Sequence, residues 1–292
     1  MSRIHEALRK AARDRASGQG SQITTADEIL CTTYSLVNPA IAVDSKEPSP
    51  VVSQTVVRVQ EPWAPDTSKM LFCSETADGV GREQFRGLRT KFTQLREQRG
   101  IKAILVGSAL SGEGKTFVAA NLAHAFAVQR ENRVLLLDCD LRRGSLAAIL
   151  GAKSRPGLVE YLKQEQELED VLQSGLGGLH FVSGGERMNE PAELIGSARF
   201  RGLISQLRSK FDWILIDSPP AIQFVDANVI ADMCDGVLLV VSAAMTPMKL
   251  AKRTVQVFKK QSVLGAVMNR AKEEEVLSKY YYNYKKAQSA GE

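Results

Sequence analysis

The chain has 292 residues, 44% of them hydrophobic, with 38 Lys and Arg against 33 Asp and Glu for a formal net charge of +5. That length holds one large α/β domain plus tails, and so mild and evenly spread a charge gives no argument for nucleic acid as a partner. There is no run of about 20 apolar residues to span a bilayer and no apolar signal core at the amino terminus, which predicts a cytoplasmic protein.

Taken in order, Ser2 to Ala16 predicts a short helix. Ser2 can cap it, Ile4, Leu8 and Ala12 recur on one face, and Arg3, Arg9, Lys10, Arg13 and Arg15 make the remainder basic. Such a helix is either a docking element for a partner or an anionic membrane surface, or a solvated terminal turn. Residues 17–69 are rich in Ser, Thr, Pro and Val and carry Pro39, Pro48, Pro50, Pro62 and Pro65, a composition that predicts a flexible linker. Met70 to Ser74 predicts a short strand that opens the folded domain. Glu83 to Arg96 predicts a helix with Phe85, Leu88, Phe92 and Leu95 on its inner face. On its polar side Glu83, Arg86 and Arg89 share one arc, either solvated or a charged seam to a neighbouring subunit.

The stretch Gly107-Ser-Ala-Leu-Ser-Gly-Glu-Gly-Lys-Thr116 follows an apolar run at 101–106 and precedes a helical pattern at 117–128. Strand, glycine loop, Lys-Thr and helix in that order predict a phosphate-binding loop. Gly112 and Gly114 let backbone N–H groups turn around phosphate oxygens, and the helix start adds its partial positive charge. Lys115 is placed to reach the terminal phosphates and the Thr116 hydroxyl to bind Mg²⁺. Ala109 stands where the consensus has its first glycine. The nucleotide contacts expected from this loop are Ala109, Ser111, Gly112, Glu113, Gly114, Lys115, Thr116 and Phe117.

Val134 to Leu137 predicts a buried strand ending in Asp138-Cys-Asp140-Leu-Arg142-Arg143. Open parallel sheets bind ligands at the carboxyl ends of their strands, and two acids at alternate positions there both face the same ligand. Residues 144–172 predict helical turns and loops, Leu179 to Val182 a strand, and Glu190-Pro191 the start of a helix. A second helix spans Ala198 to Lys210, with Phe200, Leu203, Ile204 and Leu207 inward. Asp212 to Asp217 is a strand with a terminal acid, a Walker B pattern whose Asp217 holds Mg²⁺ through water. Asp226 to Met233 is a helix, Gly236 to Val241 a strand, Pro247 to Gln261 a helix, and Val263 to Asn269 the last strand. Five or six buried strands alternating with helices predict a doubly wound, mostly parallel α/β sheet of the P-loop NTPase type. His5, His124 and His180 form no cluster. Cys31, Cys73, Cys139 and Cys234 are far apart without metal-ligand spacing and read as reduced thiols. Near the end, Tyr280, Tyr281, Tyr282 and Tyr284 are four of the six tyrosines in the chain. Lys, Asn, Gln and Ser surround them, so the stretch is either an aromatic tail packed on the domain or a set of accessible phosphate acceptors.

Several of these features together resemble the bacterial tyrosine kinases of capsule and exopolysaccharide export. They are the loop 108–116, the strand end Leu137-Asp-Cys-Asp-Leu-Arg-Arg143, Ile216-Asp-Ser-Pro-Pro220, Glu190-Pro-Ala-Glu-Leu194, Gly265-Ala-Val-Met-Asn269 and the terminal tyrosines. The resemblance covers about Glu83 to Tyr284, and the start Met1 to Lys10 resembles that of stand-alone autokinases of exopolysaccharide loci. Departures are Ser111 for a proline, Gly144 for a proline and Ser218 for a threonine, none of which removes a charged or Mg-binding group.

The resemblance implies a partitioning-ATPase-like fold over residues 70–272 and a tyrosine-rich tail at 273–292. It implies ATP and Mg²⁺ as cofactors, with Lys115, Asp138, Asp140 and Asp217 catalytic and Thr116, Asp140 and Asp217 at the metal. Asp138 is the candidate to accept the tyrosine proton, Arg142 joins the nucleotide contacts, and Asn269 with Arg270 are the candidates for adenine. Glu83-x-x-Arg86-x-x-Arg89 matches the family's ring-assembly motif, which implies transfer between subunits onto the tail tyrosines. The implied partners are further copies of the chain, a separate membrane polysaccharide co-polymerase that activates it at the inner face of the membrane, and a tyrosine phosphatase. Two other classes stay open. One is a P-loop ATPase switch of the partitioning and site-placement type, although Leu110 stands where those proteins carry a signature lysine. The other is a nucleotide-binding regulator without catalysis.

Overall fold

The computed structural model describes residues 62–74, 79–129, 131–258 and 262–271. The helix expected over 1–16, the linker up to residue 61 and the tail with Tyr280, Tyr281, Tyr282 and Tyr284 lie outside the described residues.

In chain order the strands are β1 Ala103–Ser108, β2 Val134–Asp138, β3 Leu172–Ser174, β4 Leu179–Val182, β5 Trp213–Asp217, β6 Gly236–Ser242 and β7 Val263–Asn269. They form one sheet in the order β3-β4-β2-β5-β1-β6-β7. Neighbouring strands run parallel except β3, which pairs antiparallel with β4. The helices are α1 Gly79–Arg99, α2 Lys115–Ala127, α3 Leu146–Leu150, α4 Leu158–Leu162, α5 Leu168–Val171, α6 Ala192–Ile195, α7 Ala198–Lys210, α8 Asp226–Ala231 and α9 Met248–Val257. No helix among the described residues is long and apolar enough to cross a membrane.

Two apolar cores, one on each face, explain why the strands read as unbroken apolar runs. Ile104 and Val106 of β1, Leu136 of β2 and Leu215 of β5 enter one core; Leu105, Leu137 and Ile216 enter the other. Helix α2 is apolar almost all round because it is enclosed between the sheet and α1. Phe85 and Phe92 of α1 are buried on it, with Leu88 and Leu95 beside them, as the 3-4-3 spacing predicts. Helix α7 begins where Ser197 accepts a hydrogen bond from Phe200 N at 3.2 Å, closing its first turn.

The structure departs from the sequence reading at three places. Residues 70–74 form turns, not a strand, although Met70 is fully buried. They are held by Asn121 of α2, whose side chain accepts from Leu71 N at 2.8 Å and donates to Lys69 O at 2.8 Å. The boundary at residue 70 falls inside packed chain: Trp63 is buried edge-on against Phe181, and Ala64 N and Asp66 N donate to Gly151 O and Ile149 O. Residues 172–174, where the predicted turns and loops of 144–172 end and no strand is expected, are edge strand β3, since Leu172 and Gln173 pair with Val182 and Phe181.

Candidate active site

The sheet order decides the site. Strand β5 lies between β1 and β2, so the phosphate loop after β1 and the acids ending β2 and β5 emerge side by side. Asp138 is in register with Asp217, and Val106 is level with Asp217 on the other side.

The loop has two glycines in the left-handed region, Gly112 at φ 84° and Gly114 at φ 93°. A Cβ on Gly114 would stand 2.0 Å from Asn269 Nδ2, so conformation and space both demand glycine. α2 starts directly after it without a side-chain cap, leaving its first N–H groups for an anion. The loop is also fastened from outside. Glu113 is buried, and its carboxylate accepts from Leu110 N at 2.6 Å and from the Thr246 hydroxyl. Its carbonyl accepts from Asn269 Nδ2 at 2.9 Å. An acid inside an anion-binding loop thus serves as a strut to the segments that follow β6 and end β7.

Lys115, Asp138, Asp140 and Asp217 are all buried. Lys115 Nζ lies 3.2 Å from Asp140 Oδ2. Asp138 accepts from Asp140 N at 3.1 Å and Leu146 N at 3.3 Å. Burial, then the charges of Asp217 and Asp140, push the Asp138 carboxyl well above the usual carboxylate range. Burial pushes Asp217 up to about 6, with the Lys115 ammonium pulling the other way. Burial also opposes the charge of Lys115, but Asp217 and Asp140 outweigh it and hold the ammonium above its ordinary value.

Three buried carboxylates around one ammonium leave negative charge uncompensated. Asp140 Oδ1 has no hydrogen-bond partner among the described residues, and the Asp217 oxygens make no close one, with only the Thr116 hydroxyl and Ser218 N beside them. Orphaned buried carboxylate oxygens beside the Thr116 hydroxyl suit a hard divalent cation. No group of three or more His, Cys, Asp or Glu among the described residues could hold a metal. Mg²⁺ here would take its remaining oxygens from phosphate and water.

A cleft of about 530 Å³ opens over the loop, lined by Ser111, Gly112, Gly114, Lys115, Thr116 and Asp140 with Arg142, Arg143, Arg187 and Arg270. Arg142 pairs with buried Asp226 at 3.0 Å, stacks 4.2 Å above the Phe224 ring and donates to Asn189 O. The structure therefore brings most of the predicted loop contacts together. The side chains of others turn elsewhere. Ala109 is buried beneath the loop, the Glu113 carboxylate is spent on the strut, and the Phe117 ring packs edge-on against Phe85 of α1. Asn269, an adenine candidate, holds the loop backbone, while Arg270 reaches the cleft. Glu83 and Arg86 are exposed and paired with each other at 3.2 Å, but Arg89 turns inward to donate to Ala125 O at 2.9 Å. Sequence reasoning missed Arg187 altogether. The available signal was its position just after Gly184-Gly185, where the chain leaves β4 at the ligand edge of the sheet.

The family model described as ParA: NUBPL iron-transfer P-loop NTPase matches residues 100–281. The tyrosine-protein kinase YwqD of Bacillus subtilis is 32% identical over 193 residues, covering 65% of this chain and 81% of that protein. The tyrosine-protein kinase ptk of Acinetobacter johnsonii is 32% identical over 198 residues, 67% of this chain, but the chain spans only 27% of that longer protein. The solved kinase domain of the Escherichia coli tyrosine kinase ETK matches with a TM-score of 0.66 and 29% identity, covering 73% of this chain and 82% of that one.

Proposed function

The chain belongs to the bacterial tyrosine kinases, built on the ParA-type P-loop NTPase fold, and from that premise we propose that it is an ATP-dependent protein-tyrosine autokinase. The observation that carries this reading is the convergence of Lys115 with Asp138, Asp140 and Asp217 at the carboxyl ends of adjacent strands, with carboxylate oxygens left unpaired.

In this reading the loop amides and Lys115 hold the ATP phosphates, while Arg142 and Arg143 add positive charge at the rim. Thr116, Asp140 and Asp217 hold Mg²⁺, which neutralises charge on the phosphates when bound. Asp138, buried and raised in pKa, accepts the phenol proton as the tyrosine oxygen attacks. The acceptors are Tyr280, Tyr281, Tyr282 and Tyr284, presented by a neighbouring copy in a ring to which Glu83 and Arg86 contribute an exposed charged contact. Each phosphate adds about −1.5 to −2 charge, so a phosphorylated tail repels itself and the ring comes apart. That cycle would regulate exopolysaccharide or capsule assembly through a membrane co-polymerase, with a tyrosine phosphatase resetting it.

The test is intact mass and phosphotyrosine mapping after incubation with Mg-ATP, with Lys115→Met in parallel. Phosphate on the tail tyrosines of the wild type and none on the variant is the expected result. Steady ATP hydrolysis by the wild type with no phosphotyrosine, even with the partner's cytoplasmic segment added, would replace the kinase with a partitioning-type ATPase switch.

A further inference from the structure

A second cleft, of about 510 Å³, adjoins the first. Asp138 lines it, and its walls include Ser154, Arg155, Ser183, Glu186 and Arg187. Arg187 lines both clefts. The division runs through the strand end itself, since Asp140 faces the phosphate cleft and Asp138 the second one.

The second cleft has a built wall. Glu160 is buried and receives Arg155 Nε at 2.7 Å and Gly157 N at 2.8 Å. Gly185 packs so tightly on that carboxylate that a Cβ there would stand 2.0 Å from Glu160 Oε2. Arg155 is therefore anchored. Arg187 differs from the other cations of the site. Lys115 is bonded to Asp140, Arg142 to Asp226, Arg143 to the Ser111 hydroxyl, and Arg270 touches Met245 Sδ at 2.9 Å. Arg187 is exposed, and no hydrogen bond or ion pair joins it to another described residue.

We propose that the second cleft seats the acceptor tyrosine and that Arg187 is a catalytic residue contacting the phosphoryl group in transit. This rests on the kinase reading above. The phenol oxygen forms a bond to the γ-phosphorus, and the bond from that phosphorus to the β–γ bridging oxygen breaks. ADP leaves with the bond's electron pair, and the phenol proton passes to the Asp138 carboxylate. A guanidinium shared by donor and acceptor clefts meets the phosphoryl oxygens where negative charge spreads during transfer. The volume suits a phenol ring with flanking residues, within the roughly 300–1,000 Å³ of ordinary ligand pockets.

The experiment uses the full chain and an eight-residue peptide of sequence 279–286 as acceptor. Arg187→Ala and Arg187→Lys are compared with wild type for phosphotyrosine formation and for affinity toward a fluorescent ATP analogue. Removing the charge should slow transfer about 100-fold while analogue affinity stays within about threefold, and Lys should recover part of the rate. Ser154→Trp, which fills the second cleft from its exposed edge, should raise the KM for the peptide roughly tenfold with analogue affinity unchanged. Arg187→Ala that transfers at the wild-type rate, or that loses analogue affinity in proportion to rate, overturns the role of Arg187. An unchanged peptide KM in Ser154→Trp overturns the acceptor cleft. A wild type that makes no phosphotyrosine removes the kinase reading itself, a separate result from either.

Discussion

Asp217 shows what the cation site proposed above costs the chain in stability. Its carboxyl is pushed up to about 6 by burial, from an ordinary value of 3.8. Between about pH 4 and pH 6 the folded chain therefore holds a proton that the unfolded chain has released, and stability falls as pH rises through that window. A shift of that size corresponds to about 3 kcal/mol. Asp217→Asn should unfold at higher temperature than wild type at pH 8 in a chelator, with a flatter profile from pH 4 to 8, and should lose Mg-dependent nucleotide binding. A profile as steep as that of wild type would remove Asp217 as the source. The same residue scale separates what motif spacing can and cannot say. The motif names Lys115 and Thr116 because their roles follow from distance along the loop. It does not tell that Glu113 turns outward to Thr246 or that the Phe117 ring turns to Phe85, since both depend on partners more than 30 residues away in sequence.

At the scale of elements, the segment before α1 behaves as part of the domain. Trp63 fits over Gly175, where a Cβ would stand 2.2 Å from the indole, and edge-on to Phe181 of β4. Trp63→Ala should cost about 3 kcal/mol by the cavity it leaves, read as a lower midpoint in urea. A midpoint within error of wild type would return residues 62–69 to the linker that their prolines predict. Composition misled here because one large aromatic decides the packing of a segment whose other residues look like a tether. β3 escaped notice for a related reason. Three residues at an edge carry no periodicity, and their strand character comes from β4 alone.

For the whole molecule the question is assembly. The pair formed by Glu83 and Arg86 is more than half exposed on both sides, so it contributes little to the fold of its own chain. Arg89 is different, because it caps the carbonyl of Ala125 near the end of α2. Glu83→Ala with Arg86→Ala should leave the unfolding temperature unchanged and shift sedimentation from ring to monomer. Arg89→Ala should lower stability by about 1 kcal/mol as well. A doubly substituted chain that sediments like wild type across the concentration range would end the assembly role of this face.

The amino-acid sequence determined the fold class, the phosphate loop and the two acidic strand ends, because these are local. An apolar run bounded by turn residues makes a buried strand, and a glycine loop before a helix makes an anion site, wherever they lie in a sheet. Only the tertiary structure decided that β5 inserts between β1 and β2, which brings Asp138, Asp140 and Asp217 around Lys115. It also decided which polar groups were used up on neighbours and which were left over, Arg187 lining both clefts and Asp140 Oδ1 in the phosphate cleft. Strand order and hydrogen-bond satisfaction are set by long-range packing, where every group competes for partners, and no spacing along the chain encodes the outcome of that competition.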